Sequence, residues 1–568
     1  MSKGNVLYID LADRVERATP DEAVRILLKT GWKQARELIF EHPEPEAVVR
    51  AIPDEDIYLL IKQVGDTDAL DIFGLASAEQ VQAVFDFDCW DKDHLSELGT
   101  KHWFWILMET EDDFFISRLR DLDLSLLILF LKRRATVYKF EEIVDDMDAY
   151  GPDAFLTPDR RYMLVYEGEE LLIAFIHEFT QKIYRLDMDF YYYILEAIYW
   201  ESLVELEENA YADRGNRMEG RGFPDYYSSI EIFASVNPER YQPRSKMAKI
   251  DKEMSGVGQM RQSHCIELYK GADSFFNRLL AHDFPGRDEA VLEAMAIANM
   301  VAVAQRVSFA DIEKVKKVVE DSNGYLNIGL EYHCGGDDSQ GIEALKSKKL
   351  IDVYKIGRSL VTRLGRRAKG LISKASVDGK SKELLMLDSG HQEFVAALIN
   401  REPIYVSDSQ EEKSFTAIRE VEQASIQLDK LSRLVALLHD ECGLTPDAIH
   451  AIPMLGLNQS EVNSLGYTTL FCTAFANDIL GLPFAAKPLH TQDLPMLMSR
   501  FSFTDEGNKL NPEAKTEFDR WLKDHNAMDL ADHFEEFIGV MADELALVSK
   551  KRRPDVRYIS SLLIEIPY

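Results

Sequence analysis

No apolar run in this sequence is long enough to cross a bilayer. The most hydrophobic stretches, LDLSLLILFL from Leu122 and AMAIANMVAVA from Ala294, stop well short of the roughly 20 residues that a membrane-spanning helix needs. The opening MSKGNVLYIDLADRVE lacks the uninterrupted apolar core of a signal peptide. Cysteine is scarce: Cys89, Cys265, Cys334, Cys442 and Cys472 are odd in number, widely spaced and never C-x-x-C. That pattern excludes a disulfide framework and a zinc or dithiol motif, and the expectation is reduced thiols in a cytoplasmic protein. Positive charge is also in deficit, with 65 Lys and Arg against 98 Asp and Glu and a formal net charge of −33. Non-specific attraction to nucleic acid or anionic lipid by the whole molecule is therefore not expected. The glycine-rich strings GRGFP and HCGGDDSQG follow no strand-like segment, so neither fits a P-loop or a dinucleotide fingerprint, and no Gly-x-Ser-x-Gly elbow occurs.

What is present is material for helices. At 568 residues with 46% hydrophobic content, the chain exceeds one ordinary core. From Pro45 to Asp86 it reads PEAVVRAI, PDEDIYLLIKQVG, DTDALDIFGLA and SAEQVQAVFDFD. Each unit opens on Pro, Asp or Ser with acids and then places apolar residues at helical spacing. Such openings supply N-caps and negative charge to helix N-termini, with Pro suited to the first turn. The pattern runs on to about Arg134 and predicts a stack of short helices burying one another's faces. This repeat style resembles the armadillo-like, superhelical cytosolic domain of MgtE-type magnesium transporters. No membrane segment follows it here, so transport is not among the expectations.

The fold class expected is mainly α, a stack of short helices followed by larger helical domains with small β insertions. Residues 1–137 read as the helical-repeat domain and 138–241 as a helical domain with a strand at RRYMLVYEG. Residues 242–271, poor in branched apolar side chains and rich in Ser, Gly, Lys and Met, read as a linker or surface loop. Residues 272–568 read as a C-terminal helical domain whose last segment, VRYISSLLIEIP, supplies a short strand. The aromatic run Tyr191, Tyr192 and Tyr193 reads as core.

Four groups of residues carry candidate chemistry. His439-Asp440 in LLHDECG resembles the metal-binding pair of HD-superfamily phosphohydrolases, which use a bound metal to activate water. The preceding helix lacks a histidine, His391 and Asp478 would have to complete the set, and Glu441 and Cys442 stand where a basic residue commonly follows. The plainer reading is a helix end with His439 near the negative terminus and Gly443 as a left-handed cap. His333, Cys334, Asp337 and Asp338 could gather round a divalent metal across the Gly335-Gly336 turn, or simply end one helix and cap the next. No cofactor is strongly indicated beyond that. Arg214, Arg217 and Arg221 fall at i, i+3 and i+7, positioned to bind a phosphate or carboxylate or to pair with acids of the same chain. LKSKKLIDVYKIGRSLVTRLGRRAKGLISK, from Leu345, forms a basic amphipathic helix: an apolar stripe from Leu350 to Ile372, with Lys355, Arg358, Arg363, Arg366, Arg367 and Lys369 on the remaining surface. Those six are the candidate partner-binding residues.

Taken in order, FDFDCWDKDHL, ENAYADRGNRMEGRGFPDYYSSIEIF and YLNIGLEYHCGGD resemble a bacterial family known only as a domain of unknown function, over most of the chain. The resemblance implies a mostly helical cytoplasmic protein and transfers no functional residue. The expected function is a helical scaffold or protein-interaction protein. The alternative is a metal-dependent hydrolase acting on an anionic, phosphate-bearing substrate in a cleft between the two halves. Another protein is the expected partner, nucleic acid is not, and peripheral membrane contact through the basic helix is the less favoured option.

Overall fold

The computed structural model describes residues 3–142, 150, 152–246, 274–376, 386–407, 411–450, 452, 456–458, 465–504, 507–549 and 555–566. Ten helices open the chain: α1 (Lys3–Arg17), α2 (Pro20–Leu27), α3 (Trp32–Glu41), α4 (Pro45–Ala51), α5 (Asp54–Val64), α6 (Leu70–Phe73), α7 (Ala78–Asp88), α8 (Glu97–Met108), α9 (Asp112–Asp121) and α10 (Leu124–Lys132). A hairpin of β1 (Trp90–Asp91) and β2 (His94–Leu95) interrupts them. The ladder stacks helix on next-but-one helix: α1 on α3, α2 on α4, α3 on α5, α5 on α7 and α7 on α9.

The helix starts explain part of this order. Thr19 forms a capping box with Glu22, and Ser77 forms one with Gln80, each satisfying two otherwise orphan donors. Gln80 also reaches sideways, its Nε2 donating to Val49 O (2.8 Å) and Ile52 O (2.7 Å) at the end of α4. The expectation that every unit opens on a capping side chain is corrected at three places. Glu44 before α4, Pro53 before α5 and Ala69 before α6 make no side-chain cap bond. Proline has no side-chain acceptor, and at α5 the acids Asp54, Glu55 and Asp56 of the first turn offset the helix dipole instead.

Beyond the ladder, β3 (Ala135–Lys139), β4 (Ala154–Leu156) and β5 (Tyr162–Tyr166) form an antiparallel sheet in the order β3-β5-β4. The predicted strand RRYMLVYEG is its centre. Helices α11 (Glu170–Leu186), α12 (Met188–Trp200), α13 (Leu203–Gly220) and α14 (Tyr226–Ile230) follow. The tyrosine run needs correction: Tyr191 is core, Tyr192 is half-buried and Tyr193 is 54% exposed. Successive helix positions lie about 100° apart, so three in a row cannot share one buried face.

The later helices are α15 (Phe275–Leu280), α16 (Arg287–Gln305), α17 (Ile312–Cys334), α18 (Asp338–Ser347), α19 (Leu350–Ala375), α20 (Ser389–Leu398), α21 (Ile418–Ala436), α22 (Pro446–His450), α23 (Tyr467–Ile479), α24 (Leu494–Met498), α25 (Pro512–Asp524) and α26 (Ala531–Ser549). Small strand pairs complete the fold: β6 (Ile404–Val406) with β7 (Glu412–Ser414), β9 (Phe501–Thr504) with β10 (Gly507–Leu510), and β11 (Ile564–Glu565) parallel to β8 (Leu489–His490). The fold is mainly α with small β insertions, and no helix among the described residues is long and apolar enough to cross a membrane.

Two compact units emerge from non-consecutive segments. Unit 1 comprises residues 1–234, 243–326 and 337–355, and unit 2 comprises 235–242, 327–336 and 356–568. Phe104 is the centre of an aromatic cluster in unit 1, with ring centroids 5.0 to 5.1 Å from Phe85, Phe130 and Phe179. In unit 2, Phe471 is in ring contact with Phe475, Trp521, Phe534 and Phe537. Most of the expected 242–271 linker lies outside the described residues. Its start is not a free loop: Ser245 bridges Lys348, and Arg244 clasps the buried Asp352 with Nε and Nη2 at 2.8 Å.

Two glycines of α19 separate close packing from helix propensity. A Cβ at Gly365 would lie 2.7 Å from Leu398 O, whereas one at Gly370 meets nothing within 4 Å. Gly370→Ala should stabilise the protein by about 0.5–1 kcal/mol. Gly365→Ala should destabilise it, because overpacking at about 1–3 kcal/mol outweighs the propensity gain. Urea unfolding midpoints moving in the same direction for both variants would contradict this.

Candidate functional site

The three arginines of α13 do not share one fate. Asp86, at the end of α7, is wholly buried. Arg217 grips its carboxylate with Nε (2.8 Å) and Nη2 (2.9 Å), Arg221 adds Nη1 at 3.1 Å, and Gln82 Nε2 donates at 3.0 Å. Arg217 also pairs with Asp123 (2.9 Å) and Arg221 with Asp54 (3.0 Å). Desolvation opposes the Arg217 charge, but the hydrogen bonds and charges of Asp86 and Asp123 hold its pKa above the ordinary value. These two arginines are structural. Their partners are acids of the same chain, supplied by the ladder far upstream.

Arg214 is different. Its Nε donates to the main-chain Asp86 O (2.9 Å), its guanidinium carbon lies 5.3 Å from the centre of the Trp90 ring, and its Nη atoms have no hydrogen-bond partner among the described residues. Burial pulls its pKa down, partly countered by Asp86. It lines a cleft of ≈ 330 Å³ that lies wholly within unit 1. Tyr211, Arg214, Gly215 and Met218 contribute from one face of α13, at i, i+3, i+4 and i+7. The β1–β2 hairpin contributes Trp90, Asp91 and Lys92, the start of α14 contributes Asp225 and Tyr226, and the end of α16 contributes Arg306.

Two further cations meet at Tyr226. Arg306 lies 5.2 Å from its ring centre and donates Nη2 to its hydroxyl at 3.3 Å, and Lys92 Nζ lies 5.9 Å from the same ring. Both residues have left-handed backbone, φ 57° at Arg306 and 59° at Lys92. Arg306 closes α16 where glycine is usual, and Lys92 begins the two-residue hairpin loop where glycine is favoured. Among the described residues only Lys92, Arg160, Arg306 and Asn526 adopt this conformation without being glycine. Two of those four converge on one ring at the cleft, and such strained positions cluster at functional sites. Trp90 Nε1, in the same wall, is buried without an acceptor. Sequence reasoning missed Trp90, Lys92, Tyr226 and Arg306. No motif marks them, because three separate segments bring them together.

The other candidates resolve locally. His439 lies in a π-helical turn (Leu437–Glu441), with Nε2 2.5 Å from Tyr467 Oη, and burial lowers its pKa. Gly443, at φ 68°, caps the turn by donating to His439 O (3.2 Å). Asp440 is exposed. His391 hydrogen-bonds to Asp388 (2.5 Å) and packs edge-on against His533, while Glu517 and His525 are the charged neighbours of Asp478. Asp337 caps α18 by accepting from Gln340 N (2.8 Å), and Asp338 pairs with Arg278 (2.9 Å). His333 is half-buried and Cys334 buried at the end of α17, which Gly335 closes at φ 60°. Among the described residues no three His, Cys, Asp or Glu side chains are placed to hold a metal ion.

On α19 the apolar stripe is buried as expected, except that Leu360 is only partly so. Its cations divide. Arg358 pairs with Glu402 (3.5 Å), Arg363 with Glu239 (2.5 Å) and Arg367 with Asp429 (2.6 Å). The Arg363 guanidinium holds the Glu239 carboxyl down to about 2. Lys355 is half-buried, whereas Arg366, Lys369 and Lys374 are exposed and have no acid partner among the described residues.

The chain belongs to a family of unknown function, DUF6178, whose match covers residues 12–565. The resemblance to an uncharacterised family over most of the chain is thereby shown. No curated protein and no solved structure matches it, so the likeness of the ladder to the magnesium-transporter domain gains no support.

Asp86→Ala should destabilise the protein by about 1–3 kcal/mol, because Arg217, Arg221 and Gln82 lose their hydrogen-bond acceptor in a buried site while Asp123 and Asp54 still match the two guanidinium charges. The double variant Asp86→Leu/Arg217→Met should recover part of that loss. Equilibrium urea unfolding reads both, and a loss below about 1 kcal/mol would demote the cluster to an ordinary surface pair.

Proposed function

We propose that the protein is a helical binding protein that takes an anionic small molecule in the Arg214 cleft. The observation carrying this is the free Nη edge of Arg214, a partly desolvated guanidinium facing a ligand-sized cleft. Two parallel N–H donors match a carboxylate or phosphate, and charge-assisted bonds of this kind are roughly twice as strong as neutral ones. Lys92 and Arg306 add positive charge from the other segments of the wall. Of the three acids in the lining, Asp88 accepts from Tyr58 (2.8 Å), Lys62 (3.2 Å) and Trp103 (2.8 Å), Asp225 caps α14 by accepting from Tyr227 N (2.8 Å) and Ser228 N (3.2 Å), and Asp91 offsets part of the Arg306 charge. The hydrolase alternative shares this anion site but has no metal donor set among the described residues. A cytoplasmic location is part of the same reading. It is supported by Cys89, Cys442 and Cys472, which form no disulfide among the described residues, with burial raising the Cys89 and Cys472 thiols well above their usual pKa.

A second reading rests on a different observation. The next-but-one stacking of the ladder helices supports reading the ladder as an armadillo-like superhelical scaffold, and Arg366, Lys369 and Lys374 are exposed cations on a strongly acidic chain. These cations fit an acidic protein partner.

Calorimetric titration with inorganic phosphate should give saturable binding, weakened roughly 10–100-fold by Arg214→Met. Absence of binding by the wild type of both inorganic phosphate and phenyl phosphate up to about 20 mM would remove the first reading. For the second, capture from native lysate should recover an acidic protein with the wild type and lose it with Arg366→Glu/Lys369→Glu. Equal recoveries would count against it, and flotation with anionic vesicles would reassign these cations to a membrane surface.

A further inference from the structure

The walls of the Arg214 cleft say more than that the ligand is an anion. Six aromatic residues line it, Phe87, Trp90, Tyr211, Phe223, Tyr226 and Phe309. Three of them pack edge to face, with centroids 5.2 Å apart for Phe87 and Phe223, 5.7 Å for Phe87 and Phe309, and 4.8 Å for Phe223 and Phe309. Phe223 is buried by this packing, but an inorganic anion would satisfy the cations and leave the half-buried Phe87, Trp90, Tyr211 and Phe309 in contact with water. A ligand with an apolar body covers both.

The state of Arg214 narrows the class. Trp90 lies against the guanidinium and Nε is engaged by Asp86 O, so the Nη edge and the guanidinium plane away from Trp90 are what remain for a ligand. The edge takes an acid group, and a guanidinium plane stacks on flat π-systems. Trp90 Nε1, a buried donor without an acceptor, adds an unmet hydrogen bond in the same wall. Tyr226 is already covered by Arg306 and Lys92, whose strained backbones fix both cations at the cleft. At ≈ 330 Å³ the cleft stands near the low end of small-molecule sites, which run from about 300 to 1,000 Å³. That size suits one ring system with its acid and not a dinucleotide.

We propose that the Arg214 cleft binds a flat aromatic acid, a single ring system carrying a carboxylate or phosphate that meets the Arg214 edge while the ring stacks on its plane. This rests on the anion-binding reading above and specifies its ligand class. Gly215 provides a way to test it without touching the charges. It lies in the cleft wall one position after Arg214, and a Cβ built there meets nothing within 4 Å. A small side chain is tolerated and a large one enters the cleft.

The experiment is calorimetric titration of the full chain with inorganic phosphate, phenyl phosphate, cyclohexyl phosphate and benzoate. Phenyl phosphate is expected to bind at least tenfold more tightly than inorganic phosphate and several-fold more tightly than cyclohexyl phosphate, which has the same charge and a saturated ring. Gly215→Ala should keep this ranking, and Gly215→Phe should abolish phenyl phosphate binding while melting with the wild type. Arg214→Lys should retain phosphate binding but lose the preference for the aromatic ring. Benzoate against phenyl phosphate decides which acid group the site favours. If inorganic and phenyl phosphate bind equally, or cyclohexyl matches phenyl phosphate, the aromatic class is overturned and the anion site stands. If no compound binds, both readings fall together.

Discussion

The buried carboxylate of Asp86 holds the N-terminal ladder to the helix that follows the sheet. Asp86 ends α7, and Arg217 and Arg221 reach it from the last turns of α13, more than a hundred residues later. A carboxylate without solvent contact is tolerated only with its charge matched and its oxygens hydrogen-bonded. Gln82 from the preceding turn of α7 and the two guanidiniums meet that demand. Asp123 pairs with Arg217 and Asp54 with Arg221, so three carboxylates, two guanidiniums and one amide form one network with a single negative charge in excess. Its geometry fixes where α13 lies along α7.

That registration decides what Arg214 can do. In α13, Arg214 stands one turn before Arg217 and two before Arg221, yet the Asp86 carboxylate has no room for a third guanidinium. Arg214 takes the Asp86 main-chain oxygen with Nε and is left with its outer edge unpaired beside Trp90. A residue of identical type at equivalent helical spacing therefore ends as a candidate receptor while its neighbours act as structural ions. The difference comes from stoichiometry at one buried acid, not from any property of the arginine itself.

The same reasoning shows what could be read from the chain beforehand. The ladder from Pro45 to Asp86, the strand at RRYMLVYEG and the stripe of α19 were legible, because periodicity and capping are local and repeat within a few residues. The cluster of Arg214, Arg217 and Arg221 was legible as a spacing, but its partners were not, since Asp86 and Asp54 lie far upstream and nothing local singles them out among 98 acids. Lys92 and Arg306 were invisible for a sharper reason. Turns and helix ends that need left-handed backbone are ordinarily flagged by glycine or asparagine, and here a lysine and an arginine occupy them. His439-Asp440 is the opposite case, where a short string resembles a metal motif and Tyr467, supplied by a distant helix, provides the histidine's partner.

The charge balance gives the unpaired cations their meaning. A chain with net charge −33 repels anions at long range, so an anion site on it cannot rely on the field of the whole molecule. It has to work at contact distance, where desolvation strengthens each charge and donors are fixed in advance. At physiological ionic strength the Debye length is about 8 Å, short enough that the distant acids are screened while a guanidinium against the ligand is not. An arginine held at a main-chain oxygen, backed by an indole and left with an open edge, meets those conditions. An exposed cation such as Arg366 does not, because solvent and salt weaken it as much as they weaken the acids around it. The acidic surface thus separates the two kinds of free cation: the recessed one can select a small anion, and the exposed ones can only contribute to a larger contact in which many groups act together.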